Sequence, residues 1–137
     1  MKYELQSSRH AKYLLHAHLV FTPKYRKKIF TKEHLEYMRA VFAKVCGDFK
    51  ATLIEFDGEK DHVHLLVTYP PAVSISSLVN SLKGVSSRRL RQRFELFKKA
   101  YWGDKVALWS RSYFAASVGG APIEVLKQYI EQQNTPD

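Results

Sequence analysis

Residues 14–21 form an apolar run broken only by His16 and His18, and Pro23, which cannot continue a sheet ladder, closes it. The run predicts a buried strand. A basic segment with Lys24, Arg26, Lys27 and Lys28 starts a loop, after which Thr31 and Glu33 mark the beginning of a helix. Leu35, Met38, Phe42, Val45 and Phe49 recur at spacings of three and four, which gives this helix one apolar stripe ending near Gly47. Residues 51–56 and 62–69 are β-rich, and the Asp57-Gly58 pair between them predicts a hairpin turn. Pro70-Pro71 stops the second strand. Ser74 caps another helix, whose beginning carries Ile75, Leu78, Leu82 and Val85 and whose end, with Arg88, Arg89, Arg91 and Arg93, reads as a cationic rod. Residues 109–118 predict a further strand or strand pair, Gly119-Gly120 breaks the chain, and Pro122 opens a last helix.

This order of strand, helix, strand, strand, helix, strand, helix predicts an α+β fold. The plan is a ferredoxin-like antiparallel sheet with helices on one face, plus a C-terminal helix carrying Tyr129. A length of 137 residues predicts a single domain over 1–137. With 45% hydrophobic and 26% charged residues, a disordered, collagenous or coiled-coil chain is excluded. The longest apolar run falls far short of the roughly 20 residues that cross a bilayer. The N-terminus has no apolar segment followed by a small-residue cleavage site, and one cysteine, Cys46, permits no internal disulfide. A cytoplasmic protein is expected.

Charge changes the picture. The chain carries a net +9, and residues 1–30 and 83–105 each contribute +6, leaving −3 on the rest. Two basic blocks on a nearly neutral frame favour a polyanionic partner, with nucleic acid first. The expected nucleic-acid-binding residues are Lys24, Tyr25, Arg26 and Lys27 in the first block and Lys83, Arg88, Arg89, Arg91 and Arg93 in the second. Tyr25, Trp102, Trp109 and Tyr113 lie near these blocks and either stack bases or fill the core. Core is the expectation for Trp109 and Tyr113.

Alternation along a strand puts His62, His64, Leu66 and Thr68 on one face and Val63, Leu65 and Val67 on the other. The apolar set takes the helix-packed face and leaves the two imidazoles side by side on the accessible one. That is either a bidentate metal platform or an ordinary pair of surface histidines. His16-Ala17-His18 repeats the pattern on the neighbouring strand, so a four-histidine site stands beside the simpler reading of hydrogen-bonded structural histidines. On the last helix Val125, Tyr129 and Gln133 are spaced by four, which sets a phenol and an amide one turn apart on one side.

The segments HAHLVFTPKYR, DHVHLLV, LWSRSYF and YIEQQ, in this order and across roughly residues 11–134, resemble the single-tyrosine HUH transposases. These are the TnpA-like enzymes of small bacterial insertion sequences that move as single-stranded DNA. The resemblance implies that His62 and His64 are the HUH metal ligands, Gln133 the third ligand and Tyr129 the nucleophile, working with Mg²⁺ or Mn²⁺. It further implies single-stranded DNA with hairpins at element ends as substrate, a 5′-phosphotyrosine intermediate, and a homodimer whose active sites are shared between protomers. A domesticated relative acting on repeated chromosomal hairpins is one alternative, and a non-catalytic single-stranded nucleic-acid-binding module is another. A replication initiator or relaxase is disfavoured by the lack of a third metal-binding histidine or paired tyrosines. The absence of a GxxxxGK[ST] loop fits a phosphodiester exchange that needs no nucleotide fuel.

Overall fold

A computed structural model describes residues 6–7, 12–13, 15–101 and 108–117. Two short strands near the N-terminus, β1 (Gln6–Ser7) and β2 (Lys12–Tyr13), pair with each other. The main sheet is built from β3 (His16–Phe21), β4 (Thr52–Glu59), β5 (His62–Thr68) and β6 (Phe114–Ser117), in the order β4-β5-β3-β6 with every pairing antiparallel. Helices α1 (Lys32–Asp48) and α2 (Ile75–Arg93) supply the two crossovers, and a short α3 (Glu95–Ala100) follows α2. This is the ferredoxin-like α+β plan that the element order predicts. The C-terminal helix expected to carry Tyr129 lies outside the described residues.

Hydrophobicity decides which face of the sheet the helices cover. Leu19, Phe21, Val63, Leu65 and Val67 are all at most 1% exposed and share one core with Met38, Phe42 and Val45 of α1 and Leu78, Val79 and Leu82 of α2. Each such side chain gains about 1.5–3 kcal/mol from full burial. Turning β5 by one residue would bring two imidazoles into that core, so the register is strongly specified. Trp109 sits at the centre of an aromatic group, 5.4 Å from Phe30, 5.7 Å from Phe21 and 6.4 Å from Phe42 between ring centroids. Its Nε1–H donates to the buried Ser86 Oγ at 2.8 Å. Trp109 and the half-buried Tyr113 therefore belong to the core, as expected.

Three expectations change. The β4–β5 hairpin does not turn at Asp57-Gly58, because β4 runs through both, pairing Asp57 with His64 and Gly58 with Val63, and the chain reverses at Lys60-Asp61. Gly58 has a packing role instead of a turning one: a Cβ there would lie 2.7 Å from Leu35 Cδ2 and 3.1 Å from both the His62 carbonyl oxygen and Val63 Cγ1. The end of α2 is not a free rod, since Ser86, Ser87 and Leu90 are buried and Ser87 Oγ accepts from the Leu108 amide at 3.0 Å. The third change is α3, which the apolar periodicity does not announce and which is held by the fully buried Phe97. Among the described residues no helix is long and apolar enough to cross a membrane.

Candidate active site

The histidine-bearing face of the sheet is opposite the helices. The His62 and His64 rings stand 4.9 Å apart between centroids at an interplanar angle of 79°, so the strand alternation places them together as expected. Both are partly exposed, whereas Leu66 and Thr68 further along the same face are buried. Thr68 Oγ1 donates to the Leu15 carbonyl at 3.0 Å, which closes that end of the face. The open end is the one with the two imidazoles.

Across the sheet, Val20 lies opposite His64, His18 opposite Leu66 and His16 opposite Thr68. The two His-x-His pairs thus occupy neighbouring strands out of step by two pleats, and only His18 comes diagonally near His64. A four-histidine site is not formed: among the described residues no group of three or more His, Cys, Asp or Glu side chains is placed to hold a metal ion. His16 is buried, and burial lowers its pKa below the ordinary 6.5, as suits a structural histidine.

His64 is likewise lowered, first by burial and then by the neighbouring His62 and His18, against the opposing pull of Asp57 and Glu59. Its imidazole is neutral at neutral pH, the form that ligates metals. His62 has a partner of its own. Its Nδ1 is 2.9 Å from Asp61 Oδ1, while Asp61 Oδ2 accepts from Arg26 Nε at 2.8 Å. Burial by itself would raise the Asp61 carboxyl, yet the hydrogen bonds from His62 and Arg26, with the charge of the guanidinium, hold it below 3.8. The residue immediately before the His-x-His, read from sequence only as part of a turn, is a functional neighbour of the site. Its sequence signal is an acidic residue placed between a hairpin turn and two imidazoles.

Arg26 belongs to a short 3-10 turn, Lys24–Arg26, in which Tyr25 (φ 63°) and Arg26 (φ 49°) both adopt left-handed backbone. Neither is glycine, so the conformation costs on the order of 1–3 kcal/mol per residue. The surroundings hold it there. The Lys24 amide donates to the Leu108 carbonyl at 2.9 Å, the Lys24 carbonyl accepts from Tyr101 Oη at 2.8 Å, and the Arg26 amide donates to the Pro23 carbonyl at 2.9 Å. The result presents Tyr25, 55% exposed, beside a part-buried ion pair.

The cationic residues expected to track DNA divide into two groups. Arg88 and Arg89 are exposed, on the α1–α2 face away from the histidines, lining a groove with Tyr37, Val41 and Lys44. Others are engaged within the fold. Lys83 Nζ donates to the carbonyls of Ser110 and Arg111, at 2.5 and 3.1 Å, and Lys27 Nζ to that of Ala100 at 3.1 Å, while Arg26 holds Asp61. Arg93 lies over the rings of Phe94 and Tyr37, and Arg91 is half-buried. Lys24 is half-exposed. Tyr129, Gln133 and Trp102 lie outside the described residues.

Compared with known proteins, residues 11–133 match the family described as Transposase IS200 like. The chain belongs to this family of transposases. It is 31% identical over 132 residues to the transposase for insertion sequence element IS200 of Salmonella typhimurium, covering 96% of this chain and 85% of that one. It is 29% identical over 131 residues to the ISDra2 transposase TnpA of Deinococcus radiodurans, covering 96% and 92%. A crystal structure of a transposase from Deinococcus radiodurans R1 superposes with a TM-score of 0.85 at 29% identity, covering 95% of this chain and 98% of that one. A REP-associated tyrosine transposase bound to a REP hairpin shares the fold at a TM-score of 0.52 and 13% identity, covering 92% and 69%. The IS200-like transposase is therefore a DNA-processing enzyme. Its likeness to the HUH transposases in four ordered segments agrees with the family match.

Proposed function

We propose that this IS200-like transposase cleaves and rejoins single-stranded DNA at hairpin-bearing element ends through a 5′-phosphotyrosine intermediate. The observation that carries the proposal is the pair of adjacent, partly exposed imidazoles at the open end of the sheet, one neutral and one oriented by a carboxylate. Two imidazole nitrogens and an amide oxygen are donors for a divalent cation, with His62 and His64 as two ligands and the Gln133 amide oxygen as the third, and the resemblance to the HUH transposases makes that cation Mg²⁺ or Mn²⁺. Bound there, the ion supplies positive charge that polarises the scissile phosphate.

Tyr129 Oη attacks phosphorus in line, its proton passing to water. The bond from phosphorus to the 3′ oxygen breaks, and that oxygen leaves as a 3′-hydroxyl after taking up a proton. A second 3′-hydroxyl reverses the step and releases the phenol. One phosphodiester is exchanged for another, so no fuel is consumed. One Tyr129 per chain holds one DNA end at a time, and processing both ends of an element takes two protomers. The Gly119-Gly120 break ahead of the tyrosine segment suits a helix that reaches the partner's histidines. Tyr25, exposed on its strained turn next to Arg26, is suited to stack on an unpaired base. The bound hairpin of the REP-associated fold relative is consistent with a DNA hairpin as partner.

The test is to incubate the protein with Mg²⁺ and single-stranded oligonucleotides carrying the hairpins that flank its gene, then denature and look for protein-bound DNA. The wild type is expected to form an adduct that survives denaturation and is absent with EDTA and in Tyr129→Phe. An adduct in Tyr129→Phe overturns the nucleophile, and no cleavage by the wild type favours a binding module. Mixed heterodimers of His64→Ala and Tyr129→Phe chains are expected to recover activity at one of their two sites. Complete inactivity of a verified heterodimer removes the shared-site arrangement.

A further inference from the structure

Asp61 is a buried carboxylate whose two oxygens have different partners, His62 Nδ1 at 2.9 Å and Arg26 Nε at 2.8 Å. An ionised carboxylate only accepts hydrogen bonds, so the contact to His62 requires the proton to sit on Nδ1. The lone pair is then on Nε2, across the ring from Asp61. A free neutral imidazole has no such fixed preference, and a ring without a second partner rotates about its side-chain bonds. Arg26 is in turn fixed by the left-handed backbone of its turn and by the hydrogen bond that its amide donates to the Pro23 carbonyl. A strained turn next to β3, a charged residue in the hairpin and the first histidine of β5 form one connected chain.

We propose that Asp61, anchored by Arg26, is a positioning residue that locks His62 in the Nδ1–H tautomer and turns Nε2 toward the ion. The inference rests on the reading of His62 and His64 as metal ligands and deepens it. Carboxylates that hold a ligating histidine in this way raise its basicity and fix its orientation, and their loss weakens metal binding about 10- to 100-fold. The strain at Tyr25 and Arg26 has a use on this account, since a relaxed turn would withdraw the guanidinium from Asp61.

Two measurements on ¹⁵N-histidine-labelled protein above pH 7.5 test the proposal. Long-range ¹H–¹⁵N spectra report the tautomer of each ring, with His62 assigned by its disappearance in His62→Ala. Mn²⁺ titration followed by electron paramagnetic resonance reports affinity without any reaction. Wild-type His62 is expected in the Nδ1–H form, and an Nε2–H form overturns the proposal before any variant is made. Asp61→Ala is expected to shift His62 toward a mixture of tautomers and to weaken Mn²⁺ binding about 10- to 100-fold. Because Asp61→Ala removes the carboxylate that balances the Arg26 guanidinium and costs stability, Arg26→Met/Asp61→Ala, which removes both charges, serves as the second variant. A folded variant with the wild-type tautomer and unchanged Mn²⁺ affinity overturns the proposal. His64→Ala is expected to lose Mn²⁺ while keeping the His62 tautomer, which separates ligand from positioning residue. If the wild type takes up no Mn²⁺, the metal-site reading fails on its own, and the tautomer still decides whether Asp61 orients the ring.

Discussion

Single side chains in this transposase do double service as structure and as chemistry, and His34 shows the structural half. Thr31 Oγ1 accepts from the His34 amide at 3.4 Å, and His34 Nδ1 accepts from the Thr31 amide at 3.1 Å, a reciprocal cap with histidine where glutamate or glutamine is usual. The ring is buried between Phe94 and Phe97, 4.6 Å from each, and burial pulls its pKa below 6.5. His16 and His64 shift in the same direction. The unfolded chain therefore binds protons that the folded one refuses as pH falls below 6.5, and stability declines across that window. The melting temperature is expected to be level above about pH 7 and to drop between roughly 6.5 and 5, before most carboxylates titrate. His34→Gln keeps the cap and removes one titrating ring, so thermal melts across this range should show a shallower drop. An unchanged slope would mean that His34 takes no part in it.

At the scale of elements, the hairpin of β4 and β5 shows how packing overrides a local signal. Asp-Gly is a strong turn pair, yet here Gly58 is a strand residue pressed under Leu35 of α1. Gly58→Val is expected to push α1 away from the sheet at a cost of about 1–3 kcal/mol, the range for overpacking a filled site. Urea denaturation checks this, and Leu35→Ala in the same chain should recover part of the loss because it vacates the nearest neighbour. The α2 helix behaves in the same way. Its arginine-rich end reads as solvated from composition, but Ser86, Ser87 and Leu90 turn inward between the charges and bind the segment around Trp109. Periodicity finds such elements but not their neighbours. What a glycine or serine is for depends on the atom facing it.

For the whole molecule, basic charge is divided between a histidine-bearing face and a helix-covered face. Arg88 and Arg89 are exposed and able to meet phosphates, whereas the Lys83 ammonium is spent on two carbonyls of the loop before β6. Replacing Arg88 and Arg89 together with alanine is expected to weaken single-stranded DNA binding at every sequence. It should lower the slope of log affinity against log salt by about 0.7 for each phosphate that the variant no longer neutralises. Lys83→Ala should instead lower stability and leave that slope nearly unchanged. Fluorescence anisotropy at several salt concentrations, with thermal melts of both variants, separates the two cases. A large change of slope in Lys83→Ala would reverse the assignment.

The sequence by itself determined the order of the four main-sheet strands and their two crossover helices, the face that β5 buries, the adjacency of His62 and His64, and the family. Each of these follows from spacing or from short ordered segments, and both are properties of the chain alone. Tertiary structure decided that the hairpin turns at Lys60-Asp61, that the two His-x-His pairs are out of step, and that Arg26 pairs with Asp61. Those outcomes depend on residues far apart in the chain, 35 positions in the pair of Arg26 and Asp61. No local pattern encodes them, because a side chain's partner is set by how the sheet and its helices close around it.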